Sequence, residues 1–452
     1  MTPIATAAGA THAAASPDQD KAVYAKVGWR LMPLLLVCYM VAYLDRINIG
    51  YAQLQMKQSL AFGDAAYGLG AGIFFIGYFL FELPSNLLLE KIGARKTLLR
   101  IMFCWGIVAA AMMFVTTPAQ FYVLRFLLGA FEAGFFPGIV LYLTYWYPPA
   151  KRGQIIAIFM TATTIGGVIA GPLCGAIMKY MAGLNGWHGW QWLFLVQGLP
   201  ACVLGVIVYF YLQDKPEDAH WLSEPEKKRL RHHLEHDQAL VASASHGSFW
   251  QMLRDPKVHA LSLVYFLLLG ATYAMVFWMP TLIKGWGVSD VMMVGLYSAL
   301  PYLAGVIGMV LIARSSDRRG ERRWHFAASA LVAAVGLGLT TVTQGQLVAS
   351  LAALSFAVVG IASATPLFFT ITSEYLPKAT AAGGIALISS LGNLGAAASP
   401  AVTGAINAST GNPVLSMVLV IALYLCSASV LLVAVRAPRR QVRGIHGVVA
   451  RG

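Results

Sequence analysis

Twelve stretches of this chain are each long and apolar enough to cross a lipid bilayer, and that feature constrains its fold more than any other. A hydrocarbon core of roughly 30 Å asks for about 20 consecutive apolar residues per helix. The stretches lie near residues 31–54, 66–89, 97–116, 119–147, 153–178 and 190–212, then 258–283, 291–313, 324–343, 347–375, 380–406 and 413–435. Hydrocarbon offers a backbone amide no partner, so segments of this length must satisfy themselves as helices. Composition agrees: 58 % of residues are hydrophobic and 11 % charged, against about 25 % charged in a soluble domain. The expectation is an all-α polytopic membrane protein with twelve transmembrane helices.

The net charge of +13 invites a nucleic-acid reading, but the positions of the basic residues exclude it. With both termini placed in the cytoplasm, 27 of the 32 lysines and arginines fall on the inside and three, Lys57, Lys179 and Lys284, on the outside. That is the positive-inside pattern of a multi-pass protein. It predicts an inner (cytoplasmic) membrane location with lipid, not nucleic acid, as the surrounding partner. The remaining two, Arg46 and Arg125, lie within spans. The five cysteines each sit alone in an apolar run, so neither a disulfide framework nor a metal site is expected, and no cofactor motif is present.

The longest polar stretch divides the chain in two. The reading gives a disordered cytoplasmic tail over 1–24, a six-helix bundle over 25–212, a cytoplasmic linker over 213–257, a second six-helix bundle over 258–435 and a basic tail over 436–452. In the linker, Ser223-Glu224-Pro225-Glu226 has the spacing of a capping box and predicts the start of a surface helix. Three landmarks repeat at offsets of 227 to 228: Gly93 with Gly320, Gly171-Pro172 with Ser399-Pro400, and Pro149 with Pro377. Two pseudo-symmetric bundles are therefore expected, an arrangement that places a transported substrate near the midplane between them.

The loop Glu90-Lys91-Ile92-Gly93-Ala94-Arg95-Lys96 and its second copy Asp317-Arg318-Arg319-Gly320 resemble the signature loop of the major facilitator superfamily in degenerate form. Tyr43-Leu44-Asp45-Arg46-Ile47-Asn48, Gly77-Tyr78, Pro84-Ser85-Asn86 and Gly189-Trp190-Gln191-Trp192 resemble the anion:cation symporter family within it, whose members carry phthalate, tartrate, hydroxyphenylacetate and sugar acids. The likeness covers nearly all of 25–435 and implies the major facilitator fold. Gln197 departs from it, standing where many relatives have Glu. The resemblance implies that Arg46 binds a substrate carboxylate. It also implies that Glu90, Lys91, Gly93, Arg95, Asp317, Arg318 and Gly320 form a cytoplasmic gate; the plainer alternative is that these loops only set topology.

Ionisable groups inside spans cost roughly 2.5–3.5 kcal/mol each on insertion scales, so each calls for a reason. Four lie deep: Asp45, Arg46, Arg125 and Glu132. Neighbouring helical residues point about 100° apart, so Asp45 and Arg46 need not meet the same partner. The planar guanidinium fork suits a carboxylate, which favours Arg46 as the anion contact. Arg125 is either a second anion contact or the ion-pair partner of Glu132. Asp45 and Glu132 are the candidate proton carriers, since burial and a nearby arginine act on a carboxylate in opposite senses. Tyr78 and Asn393 are weaker candidates for substrate hydrogen bonds, with helix packing equally open. The aromatics Tyr265, Tyr273 and Trp278 could wall the cavity, with lipid or interface contact as the default.

The function expected is import of a small organic carboxylate (aromatic acid, hydroxy dicarboxylate or sugar acid) by proton symport, in a monomer. The alternative is an anion exchanger or exporter, favoured by Gly167-x-x-x-Gly171-Pro172-x-x-Gly175, which resembles an antiporter motif. No phosphate loop, zinc helix or nucleophile elbow appears, so no enzyme is expected.

Overall fold

Helix follows helix through the described residues of the computed structural model, 17–60, 62–244, 254–376 and 381–435, and among them no strand forms. The first half holds α1 (Pro17–Ile47), α2 (Ile49–Ser59), α3 (Asp64–Ile92), α4 (Ala94–Ala111), α5 (Pro118–Glu132), α6 (Phe135–Thr144), α7 (Pro149–Tyr180) and α8 (Gly189–Tyr211). The linker carries α9 (Glu224–Ala244). The second half holds α10 (Pro256–Gly285), α11 (Val291–Arg319), α12 (Arg323–Val342), α13 (Leu347–Tyr375), α14 (Ala381–Thr410) and α15 (Pro413–Ala434). Asn48 keeps helical torsions and backbone bonds to Leu44 and from Ala52, so α1 and α2 form one span. With α5 and α6 forming another, twelve spans result.

Local sequence sets the helix ends. Asp255, Asp290 and Asn412 each accept a backbone N–H from two residues ahead, at 2.9, 2.8 and 2.9 Å, and open α10, α11 and α15. Pro256 and Pro413 occupy the first helical position, where a missing N–H costs nothing. Thr117 and Gln120 close a capping box ahead of α5.

Two features differ from the sequence expectation. The tail expected over 1–24 is helical from Pro17, because Val23, Tyr24, Val27 and Leu31 recur at helical spacing and bury against the first half. Residues 1–16, Pro377 and the tail over 436–452 lie outside the described residues. The fourth span, expected to be continuous, is broken: Ala133 is extended (ψ 134°) and Gly134 left-handed (φ 84°). Only glycine fits there at low cost, since a Cβ on Gly134 would also lie 2.5 Å from Ser85 Oγ on α3.

The two halves repeat one packing scheme. α3 packs on α5 as α11 packs on α13, α4 on α8 as α12 on α15, and α1 on α7 as α10 on α14. Between halves, α3 meets α14 and α7 meets α11. Both seams are backbone-to-backbone. A Cβ on Gly171 would stand 2.2 Å from the Gly295 carbonyl oxygen, and one on Gly72 would stand 2.1 Å from that of Ala397. Gly171 belongs to the antiporter-like motif, whose glycines here serve close helix approach. These contacts lie toward the end that carries Lys57, Lys179 and Lys284. There, Lys179 of the first half pairs with Asp290 of the second.

α9 starts where its capping box predicts, with the Ser223 N–H and hydroxyl both donating to Glu226 at 2.7 and 3.0 Å. It is held by the first half: Lys26 donates to Glu226 at 2.9 Å, and His233 shares a 3.0 Å bond with the Tyr24 hydroxyl.

Candidate functional site

α1 delivers Arg46 to the place where the halves meet. One terminal nitrogen of its guanidinium pairs with Glu132, the last residue of α5 before the break. The other donates to the hydroxyl of Tyr273 on α10, 3.1 Å away and across the divide. The guanidinium carbon also lies 5.3 and 5.5 Å from the ring centres of Tyr78 and Phe74, within cation–π range. Arg46 is thus bound by an ion pair to one half and by a hydrogen bond to an uncharged hydroxyl of the other.

Asp45, one residue earlier, turns the other way. Its carboxylate accepts a 2.7 Å bond from Trp105 Nε1 on α4, inside the first half. Asp45 and Glu132 are both buried, at 1 % and 0 % exposure, and each keeps one oxygen without a partner; so does Arg46 Nε. Buried polar atoms are nearly always paired, so these three unpartnered atoms set the site apart from the rest of the interior.

Arg125 settles neither of the alternatives left by the sequence in favour of ion pairing. It sits two turns from Glu132 and donates instead to the carbonyls of Gly70 and Ala71 on α3, at 3.1 and 3.5 Å. The Glu132 carboxylate turns toward α1, and α3 carbonyls reach Arg125 first. Its guanidinium lies 4.9 Å from the Phe74 ring centre, the ring that Arg46 also touches. Tyr78 stands one turn before Glu82 on α3, and Asn393 of α14 lies beside Glu82 from the other half. Arg46, Glu132, Tyr78, Glu82 and Asn393 therefore share one neighbourhood, whereas Asp45 and Arg125 are directed into the first half.

The aromatics of the seventh span correct the default made for them. Tyr265, Tyr273 and Trp278 are 7, 9 and 2 % exposed and lie inside the protein rather than against lipid. Gln197 is buried and ties three spans together, accepting from Asn48 Nδ2 at 3.0 Å and donating to Cys174 Sγ at 3.3 Å.

The charged loops behave alike in the two halves. Gly93 (φ 89°) turns the chain from α3 into α4, and the Arg95 side chain donates to the Tyr209 carbonyl at 2.7 Å while its N–H donates to Asp214 at 2.9 Å. Gly320 (φ 61°) ends α11, and Arg322 pairs with Asp317 and reaches Glu374 at 3.5 Å. Glu90, Lys91 and Arg318 are exposed. Trp105, Phe74 and Asp214 are neighbours of these residues that the sequence did not single out. A tryptophan amid apolar residues carries no signal of which carboxylate it will meet.

Residues 35–400 match the family model described as Major Facilitator Superfamily. The chain belongs to this superfamily. It is 45 % identical to a putative metabolite transport protein of Pseudomonas putida, over 86 % of this chain and 89 % of that one. A putative tartrate transporter of Agrobacterium vitis is 44 % identical over 94 % of both chains. A quinolone resistance transporter of Acinetobacter baumannii is 42 % identical over 87 % of this chain and 91 % of that one. Among solved structures, a bacterial homolog of the human lysosomal transporter Spinster, inward-facing and occupied, superposes with a TM-score of 0.73. It is 16 % identical and covers 93 % of this chain and 97 % of that one, a likeness of fold alone. As a member of the superfamily, the chain is a multi-pass membrane transporter and not an enzyme.

Proposed function

We propose that this transporter imports a small organic carboxylate together with protons across the inner membrane, with both termini in the cytoplasm. The observation that carries the reading is the Arg46–Glu132 pair, buried and linked to the second half through Tyr273. A substrate carboxylate is a chemical equivalent of the Glu132 side chain and competes with it for the guanidinium. Once displaced, Glu132 sits uncompensated in a low-dielectric interior, a state that protonation relieves. Substrate binding and proton loading then occur together, and release reverses both as Glu132 returns to Arg46. Tyr78 and Asn393 are assigned to the substrate's surroundings and Asp45 to a second proton site, while Arg125, held by α3 carbonyls, is assigned to positioning Phe74 beside Arg46. The loops at Glu90–Arg95 and Asp317–Gly320 are assigned to the cytoplasmic gate. Relatives named for tartrate and metabolite transport support the substrate class. The distribution of 27 inside and three outside basic residues supports the orientation.

The second reading is an exchanger or exporter, supported by the relative named for quinolone resistance. Purified protein in liposomes with an internal pH dye separates the two. The panel is phthalate, tartrate, hydroxyphenylacetate, galactonate and nicotinate, with no imposed gradient. Acidification of the lumen by one acid, absent from protein-free liposomes, is the expected result. Binding without acidification by any acid of the panel overturns symport and favours exchange.

A further inference from the structure

The end of the molecule bearing Lys57 and Lys284 holds a cavity of about 170 Å³ between α3, α10, α14 and α15. Cavities of roughly 150 Å³ hold a molecule the size of benzene. Those are apolar, and this one is not. Trp278, Thr281 and Asn407 line it, and Trp278 Nε1, Thr281 Oγ1 and Asn407 Oδ1 are all buried with no hydrogen-bond partner. Trp278 itself is 2 % exposed. A buried indole N–H left unpaired forfeits its hydration without return, so three orphans around one space argue for an occupant that satisfies them.

The chemistry of the walls says what kind. The indole N–H only donates, the threonine hydroxyl donates or accepts, and the Asn407 oxygen only accepts. A second cavity, of about 400 Å³, shares Thr281 and is lined by Lys57 and Lys284. Lys57 pairs with Asp64 and lies 5.4 Å from the Trp278 ring centre, while Lys284 donates to the Leu54 carbonyl at 3.2 Å. Each ammonium has three protons, so both keep donors free for a ligand. Two lysines against Asp64 leave one net positive charge beside the cavity. Asp64 also lines the cavity, but its charge is taken up by Lys57, so the donors of Trp278, Thr281 and the two neighbouring lysines face one amide oxygen and one compensated carboxylate, a set that fits a carboxylate also carrying a hydroxyl. On α14, Ser399, Thr403 and Asn407 recur every fourth residue, and all three have unpartnered buried oxygens. They form a polar line about 12 Å long that leads from the cavity into the protein.

We infer that this cavity is a second, outer binding site for a small hydroxy carboxylate, separate from Arg46; the ligand class rests on the carboxylate reading above. Equilibrium dialysis of the purified full-length protein against radiolabelled tartrate tests it. Wild type is expected to bind two equivalents per chain, and Arg46→Ala to keep one. The near-isosteric double variant Thr281→Val/Asn407→Leu is also expected to keep one. Succinate, which lacks the hydroxyls, is expected to fill only the inner site. One equivalent in wild type, lost in Arg46→Ala and untouched in Thr281→Val/Asn407→Leu, overturns the outer site and leaves the Arg46 reading standing. The reverse pattern overturns the Arg46 reading and keeps the outer site. No tartrate bound to any form overturns the outer hydroxy-carboxylate site and leaves the Arg46 reading to the acid panel above.

Discussion

Arg46 meets three kinds of partner at once: a carboxylate, a phenol hydroxyl and two aromatic rings. Only the carboxylate compensates its charge, and the compensation is mutual, because Glu132 is wholly buried. Arg46→Ala therefore strands a charge, and breaking one side of a buried pair costs about 3–5 kcal/mol. The expected outcome is a clear fall in thermal midpoint in detergent, most of it recovered by Arg46→Ala/Glu132→Gln. Uptake should remain absent in that double variant, and uptake there would remove Arg46 from the substrate site. The four deep charges were legible in the sequence because no other charged residue lies between Arg30 and Lys57 or between Arg100 and Lys151. Their partners were not. Which way Asp45 and Arg46 turn depends on the rotation of α1 within the bundle, and a shift of one residue would have exchanged Trp105 for Glu132.

At the scale of elements, glycines decide where helices break and where they touch. Gly134→Ala is expected to destabilise on two counts. A left-handed non-glycine residue costs about 1–2 kcal/mol, and the new methyl would overlap Ser85 at 2.5 Å. Ser85→Gly in that background should restore part of the lost midpoint by removing the overlap while leaving the backbone strain. The seam at Gly171 makes a different prediction. Gly171→Ala drives a methyl into the Gly295 carbonyl and should wedge the α7–α11 seam apart. Spin labels at Tyr180 and Val348, on a cysteine-free background, should report a longer mean distance; an unchanged distribution would mean that the seam absorbs the methyl elsewhere. Small-residue spacing made Gly171 recognisable as a packing position in the sequence. It could not name α11 as the partner, nor show the break at Gly134, since an isolated glycine in an apolar run is equally compatible with an unbroken helix.

Across the whole molecule, twelve spans and a duplicated order were readable because lipid imposes length and the repeat imposes landmarks. The closed end was not readable, because it depends on contacts between residues more than a hundred positions apart. Lys179 and Asp290 join the halves there. The Lys179 ammonium, followed by the Met292 N–H, holds the Asp290 carboxyl below the usual aspartate range. A lowered value means that the clasp keeps its charges above the unfolded range and loses its contribution only as pH falls through the lowered one. Distances measured across this end between pH 5 and 8 should therefore not change, whereas Asp290→Asn should lengthen them.

The docking of α9 on the first half has a mechanical consequence. With Lys26 and Tyr24 holding Glu226 and His233, the linker helix travels with the bundle that precedes it. The chain that joins α9 to α10 is then not the whole polar stretch but the eleven residues from 245 to 255. The twelve steps from Ala244 to Pro256 span at most about 40–43 Å when fully extended, an upper bound on how far the two can separate in any state. Shortening it residue by residue should halt the transport cycle at the length where the widest state no longer fits, which turns chain length into a ruler for the motion.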